Sequence, residues 1–296
     1  MKKIQDYDSI NYDYRCYWKD REYENLSEQR ILKKILKDKK GISFIDTGGA
    51  YGRLTDLYKD KFEIPILFDY SLKNLKKAKF DKKVVKICGD IYNMPFKDES
   101  IQSGMCIRVL HHIEDPESAI KEIGRITADF FILEFANKNN FLSLLRNKFS
   151  PNFIKKDKYE IPHKSDSQGY LNDQVFLNFS PNFIKKTVLK NKFFIKKVYS
   201  VSNFRERNLK KIFPLKFLLF LEDIFRDIFS KIYFGPSIFL YLEKRNKKNL
   251  IYKNLEDILM CTKCKNGLKN GVCSKCKINY LDKSGIFNFR SPLKID

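Results

Sequence analysis

Short apolar runs recur along the first half of this chain, and each closes on an acidic residue, a glycine or a polar pair. Residues 43–45 end at Asp46, residues 64–68 at Asp69, and residues 84–88 at Gly89-Asp90. Residues 101–109 run into Leu110-His111-His112, and residues 130–135 form a fifth run. Runs of this length and composition read as buried strands. The segments between them carry helical spacing instead. Residues 72–80 place Leu72, Leu75 and Ala78 on one face, and residues 54–59 continue from a glycine-rich turn. Residues 116–126 place Ile120 and Ile123 together, with Asp115 as cap and Pro116 in the first turn. Strand and helix alternating in this way predict an α/β fold, a parallel sheet with helices on both faces.

The pattern changes at both ends. Residues 1–24 are rich in tyrosine and charge, and residues 26–38 form an amphipathic helix with Ile31, Leu32, Ile35 and Leu36 on its apolar side. Residues 136–180 are irregular. The heptapeptide Ser-Pro-Asn-Phe-Ile-Lys-Lys occurs at 150–156 and again at 180–186. Two copies do not make a repeat architecture. The second copy suits a helix start, with Ser180 as cap and Pro181 at the first turn. Residues 193–204 and 237–242 read as two further strands. Between them, residues 209–234 predict a helix with a wide stripe of Phe217, Leu218, Leu221, Ile224, Phe225 and Ile228, and with Glu222, Asp223, Arg226, Asp227 and Lys231 opposite. The expected place for that stripe is against the sheet or the C-terminal segment. The alternative is a cover for an apolar acceptor or a contact with a membrane surface. Burial or exposure of Phe217, Phe225 and Phe229 discriminates the two.

Candidate chemistry gathers at strand ends. Strand ends of an open parallel sheet share one edge, where ligands bind, so Asp46, Asp69 and Asp90 are expected side by side. Each could instead cap the helix that follows it. The turn Asp46-Thr-Gly48-Gly49-Ala50-Tyr-Gly52 lets a ligand approach the backbone and aims a following helix at it. Asp69 comes 21 positions after Gly48, the place from which a ribose diol is gripped. His111 or His112 could serve as a base, or could shape the sheet edge. Cys106, in mid-strand, reads as a packed thiol. Near the C-terminus, Cys261-x-x-Cys264 and Cys273-x-x-Cys276 present four thiolates, the ligand set of a structural zinc ion with no position left for a catalytic water.

Composition changes this picture little. A net charge of +22 admits nucleic acid, an acidic substrate or anionic lipid as partner. The lysines are spread along the whole sequence, without a dense aromatic-basic tract. Paired cysteines of this spacing, no signal peptide and no apolar run of membrane-spanning length give a cytoplasmic expectation.

Residues 41–135 resemble a class I S-adenosylmethionine-dependent methyltransferase. The resemblance rests on Asp46 to Gly52, on Asp69-Tyr70-Ser71, on Gly89-Asp90-Ile91-Tyr-Asn-Met-Pro95-Phe96, and on Val109-Leu-His-His-Ile-Glu-Asp-Pro116. Ala50 stands where the family has a middle glycine. The resemblance implies a Rossmann-like sheet, mostly parallel with the last strand antiparallel. It also implies that Asp69 and Tyr70 hold the ribose side, and that Asp90 and Ile91 hold the adenine. Asp46, Gly48, Gly49, Ala50 and Gly52 would border the methionine portion, with the Arg108 backbone facing its amino group. An N-terminal lid would span 1–40, with Arg21 and Tyr23 as candidates for the cofactor carboxylate, and a helical insertion would span 204–236, both within a domain of residues 1–250. Residues 254–296 resemble the zinc-ribbon proteins that bind and activate methyltransferases, here joined in cis, with Thr262 and Lys277 replacing the usual proline and glycine. No Asn/Asp-Pro-Pro-Tyr follows strand four, which disfavours methylation of a base's amino group. The expectation is methyl transfer to a small-molecule acceptor, with an RNA or protein acceptor, or a non-catalytic scaffold that recruits partners through the ribbon, as alternatives.

Overall fold

The computed structural model describes Asp8 and residues 14–80, 83–141, 143, 159–160, 177–246, 252 and 254–295. The first heptapeptide copy and most of the irregular segment lie outside these residues. Five strands alternate with the first helices: β1 (Gly41–Thr47), β2 (Phe62–Asp69), β3 (Val85–Cys88), β4 (Ile101–Cys106) and β5 (Thr127–Ala136). Two short strands follow, β6 (Tyr159–Glu160) and β7 (Asn178–Phe179), then the long β8 (Phe193–Val201) and β9 (Ser237–Lys244). The C-terminal segment adds β10 (Val272–Cys273), β11 (Ile278–Asn279), β12 (Ile286–Asn288) and β13 (Leu293–Lys294).

The main sheet runs β12-β3-β2-β1-β4-β5-β9-β8. It is parallel from β12 to β5, and β9 alone runs antiparallel to both its neighbours. Alternation along each strand divides the core into two layers. Phe44, Phe130 and Ile132 face the helix Glu22–Leu36 through Ile31, Leu32 and Leu36. Ile45, Phe131, Leu133 and Phe135 face the helices Pro116–Ile126 and Pro181–Lys190. A parallel sheet must be covered on both faces, and these helices cover it. Asp115 caps the helix Pro116–Ile126 by accepting from Ser118 N at 2.9 Å.

Three expectations change. The glycine turn does not open into a helix; only a single 3₁₀ turn, Thr55–Leu57, intervenes before β2. Residues 48–61 must turn, cross and enter β2 at Phe62, which leaves no room for more. The helix after β2 stops at Lys77 because Ala78 is already extended. The predicted helix of 209–234 breaks at Pro214 into Arg207–Ile212 and Leu215–Lys231, and most of its apolar stripe faces solvent, although Leu218 is buried and Asp223, Asp227 and Lys231 are exposed as expected. Glu222 and Arg226 are buried, while Phe217, Phe220, Ile224 and Ile228 are exposed. Glu222 is drawn inward by four donors: Tyr23 Oη at 2.7 Å, Ser202 N at 2.7 Å, and Asn203 N and Nδ2 at 3.0 and 3.1 Å. Tyr23 therefore serves the insertion and not the cofactor edge.

The C-terminal segment is stitched to the sheet. β12 pairs in parallel with β3, Ile286 beside Lys86 and Asn288 beside Cys88, and Phe289 N donates to Cys88 O at 2.8 Å. Met260 N donates to Pro95 O and Lys97 N to Ile258 O, each at 2.9 Å.

Candidate functional site

β1 and β2 end together, with Asp46 opposite Leu67 and Thr47 opposite Phe68. The chain then folds across the end of β2, where Gly48 N and Gly49 N both donate to Phe68 O, at 2.7 and 3.2 Å. Gly48 takes φ +74°, and a Cβ on it would lie 2.3 Å from Val109, so the turn needs glycine there. Ala50 adopts φ +51°, the left-handed region that glycine takes without cost. Its N–H donates to Asp69 Oδ2 at 2.7 Å, while Asp69 Oδ1 accepts from Ser71 N at 2.7 Å. The carboxylate of Asp69 thereby fastens two turns.

A cleft of about 610 Å³ opens at this edge, lined by Gly48, Ala50, Asp69, Tyr70, Ile91, Arg108 and His112. A recess of about 320 Å³ adjoins it, sharing Gly48, Ala50 and Arg108 and adding Asp46 and Gly49. The lining of the cleft passes through Gly89 and Ile91 on either side of Asp90, whose Oδ1 accepts from Tyr92 N within its own turn at 2.8 Å. Three expected residues stand back from both spaces, Asp90 among them. Gly52 closes the turn, donating to Gly49 O at 2.8 Å, with Phe80 behind it. His111 is buried under the edge, its carbonyl accepting from Leu177 N at 2.9 Å.

Other lining residues escaped the sequence. Thr47, Asn74 and Val109 line the cleft. Trp18, Tyr51 and Arg53 line the recess. The Arg53 guanidinium lies 3.8 Å from the centre of the Trp18 ring, a cation–π contact that seats the N-terminal segment over the recess. Arg21, expected here, stacks on Tyr17 at 4.4 Å. Glu28 is fully buried and takes Arg108 Nε on Oε1 at 2.6 Å and Arg53 Nη2 on Oε2 at 2.7 Å. Burial would raise its carboxyl; the two guanidiniums prevail and hold it below the usual range. Arg108, at φ +63°, also donates its N–H to Glu134 Oε2 at 2.9 Å. Removing Glu28 leaves two cations without their carboxylate. Glu28→Ala is therefore expected to cost about 3–5 kcal/mol, read as a fall in the urea midpoint.

Two buried polar atoms at the end of β1 have no hydrogen-bond partner among the described residues: Asp46 Oδ2 and Thr47 Oγ1. Buried polar groups are ordinarily satisfied, so this pair suits a polar ligand. The Asp46 carboxyl is pushed up to about 7 by burial, opposed by Arg53 and reinforced by Asp69. Asp69 is pushed up to about 6, again first by burial.

Away from the cleft, the sulfurs of Cys261, Cys264, Cys273 and Cys276 lie within 4.8 Å of one another. Cys264 Sγ and Cys273 Sγ are 3.5 Å apart, and Cys261 Sγ and Cys276 Sγ 3.9 Å. A tetrahedral zinc with bonds of about 2.3 Å sets its sulfurs about 3.8 Å apart, so the four thiols fit such an ion. The cluster connects to the cleft through side chains. Tyr280 Oη lies 3.2 Å from Cys261 Sγ, and its ring stacks on Phe289 at 4.2 Å. Arg290 follows, lying 3.5 Å over the Tyr70 ring and donating to Tyr70 O at 2.6 Å and Asp8 Oδ2 at 3.0 Å.

The sheet order, the crossover pattern and the antiparallel β9 are those of the Rossmann-like class I methyltransferase fold. A family model described as a methyltransferase domain matches residues 45–129. An uncharacterized protein of Methanocaldococcus jannaschii is 34% identical over 125 residues, which is 42% of this chain and 50% of that protein. The match thus spans half the length of this curated relative. Among solved structures, an S-adenosylmethionine-dependent methyltransferase of Thermotoga maritima superposes with a TM-score of 0.53 at 18% identity, over 81% of this chain and 98% of that one. A chain from the complex of a Haloferax volcanii methyltransferase activator with the protein designated as its methyltransferase gives 0.54 at 13% identity, over 82% and 99%. Magnesium protoporphyrin IX methyltransferase of Synechocystis with bound S-adenosylhomocysteine gives 0.50 at 15%, over 80% and 90%. At these identities the likeness is one of fold. No helix among the described residues is long and apolar enough to cross a membrane.

Proposed function

We propose that this chain binds S-adenosylmethionine in the paired cleft and recess and transfers its methyl group to a small acceptor. The observation that carries the reading is the convergence of Asp46, Asp69 and the Gly48–Ala50 turn on one rim, with the Asp46 Oδ2 atom unsatisfied. The bound sulfonium supplies the reactivity, so the protein's task is to position the partners and exclude water. Asp69, already oriented by Ala50 N and Ser71 N, accepts from the ribose hydroxyls. Asp46 and the Arg108 backbone take the methionine ammonium. Ile91 and Tyr70 flank the adenine side, with Asp90 in the turn beneath. Trp18, Tyr51 and Arg53 wall the recess on the acceptor side. His112 lines the cleft and is the candidate base for an acceptor that must lose a proton.

The four cysteines hold a structural zinc, since four thiolates leave no open coordination position. Residues 1–250 form the methyl-transfer domain, and residues 254–296 its metal-bearing companion. An RNA or protein acceptor is the second reading, favoured by the charge of +22 and by the likeness to the chain solved with an activator.

Calorimetry with S-adenosylhomocysteine tests the reading. Binding in the micromolar range is expected, and absence of binding at millimolar ligand defeats it. The raised carboxyls add a signature. Between about pH 4 and pH 7 the folded chain holds more protons on Asp46 and Asp69 than the unfolded chain does, so the free protein loses stability as pH rises. Cofactor binding has the opposite slope, because an ammonium needs the ionised Asp46. Affinity is expected to weaken about tenfold from pH 8 to pH 6, and a flat profile argues against Asp46 as the partner.

A further inference from the structure

The helix Leu215–Lys231 turns its apolar stripe to solvent, and the methyl-transfer reading makes no use of that. Twelve large hydrophobic side chains are exposed among the described residues, and eight of them fall between residues 212 and 232. Phe217, Phe220, Ile224 and Ile228 follow one another at steps of three and four, so they form one line along the helix. Phe213 and Ile232 extend that line at its two ends, 39% and 63% exposed. The orientation is enforced from below. Leu218 and Leu219 pack with Tyr23, and Glu222 and Ser230 are held in polar contacts beneath the helix, Glu222 by Tyr23 and Ser202 and Ser230 by Ser200. Rolling the stripe inward would break the contacts of Glu222 and Ser230 and expose Leu218 and Leu219. A contiguous apolar strip of this size on an otherwise polar surface marks a contact.

The surrounding charge selects the partner. Lys216 and Lys231 are exposed on this helix, and Arg207 and Lys211 on the short helix before it. The exposed acids are Asp223 and Asp227, and Asp223 is engaged by Arg30 at 2.6 Å and by Arg226. A 17-residue helix is about 25 Å long, here with one apolar side and an exposed lysine near each end, Lys216 and Lys231. That arrangement lies in the plane of a bilayer surface and does not span it. We infer that this face docks the protein on an anionic lipid bilayer, with the Phe217–Ile228 line sunk to the level of the headgroups. The inference stands independently of methyl transfer.

Co-sedimentation with vesicles of phosphatidylcholine, with and without phosphatidylglycerol, tests it on the full chain. Two net exposed basic charges on the two helices, at about fivefold each, predict roughly 25-fold tighter binding to the anionic vesicles. Phe220→Glu with Ile224→Glu is expected to abolish binding while leaving the melting temperature and S-adenosylhomocysteine affinity unchanged. Both positions are exposed, so the fold does not depend on them. Lys211→Glu with Lys216→Glu is expected to remove the preference for anionic vesicles. Three outcomes overturn the inference: no sedimentation with either vesicle, equal sedimentation by the Phe220→Glu/Ile224→Glu variant, or a lipid-free dimer that the same variant dissociates. The last assigns the face to a second copy of the chain.

Discussion

Asp69→Ala is expected to weaken S-adenosylhomocysteine binding by at least a hundredfold and to lower the melting temperature by a few degrees without collapsing the fold. The melting effect is the difference of two opposed parts: alanine leaves the Ala50 and Ser71 N–H groups without their acceptor, and it also removes a buried carboxylate that burial pushes up to about 6. A charged hydrogen bond to a ligand contributes about 1.5–3 kcal/mol, and a ribose offers two hydroxyls to one carboxylate. Loss of that pair already approaches two to three decades in affinity. Asp69→Asn is expected to fare little better. Both carboxylate oxygens accept from backbone N–H groups, Ala50 on one and Ser71 on the other. An amide must therefore point its NH₂ at one of those donors, which loosens either the glycine turn or the start of the next helix. Titration calorimetry and thermal melting on the two variants separate the outcomes. Full affinity with either substitution removes the ribose from Asp69. Lost affinity with a collapsed melting temperature shows that the residue serves the fold alone.

What the sequence discloses is local, and what it hides depends on distant partners. The strand ends Asp46 and Asp69, the turn between them and the helix capped by Asp115 are all legible, because each is a short pattern of residue types with its physical cause inside the window. The strand order follows once those elements are recognised. The buried triad of Glu28, Arg53 and Arg108 is not legible, because its members come from three elements and each alone reads as an ordinary surface charge. The outward-facing stripe is the instructive case. Periodicity correctly finds an amphipathic helix in 215–231, then assigns its apolar side inward by default. Tyr23, Ser202 and Asn203 overrule that default by offering Glu222 four donors that water would otherwise supply. A moment along a helix gives the axis of asymmetry, but which end of that axis is wet depends on what the neighbours can satisfy. β12 is hidden for a similar reason. Three residues, Ile286–Asn288, carry no strand signature of their own and become a strand because β3 presents an open edge.

Metal removal is expected to lower cofactor affinity although the cysteines lie outside the cleft. Strong chelation, or Cys264→Ser, frees the two C-x-x-C turns, and a segment this small has little apolar core to hold it without the ion. Among the described residues its strand pairing with the rest of the chain is β12 on the edge of β3, joined by the backbone contacts at Pro95 and Lys97. When that grip fails, Arg290 leaves the Tyr70 ring and carbonyl, and Tyr70 is the neighbour of Asp69. The guanidinium contact and the charged hydrogen bond together account for about 2 kcal/mol of restraint on the Asp69–Ser71 turn, so S-adenosylhomocysteine affinity is expected to fall roughly tenfold to thirtyfold on chelation, with a drop in melting temperature. Arg290→Ala separates the causes. It should keep the zinc content measured by atomic absorption and most of the melting temperature, yet reproduce most of the affinity loss. Retained affinity in Arg290→Ala, alongside lost affinity after chelation, would place the coupling in the strand pairing of β12 with β3 and not in the side chain that follows it.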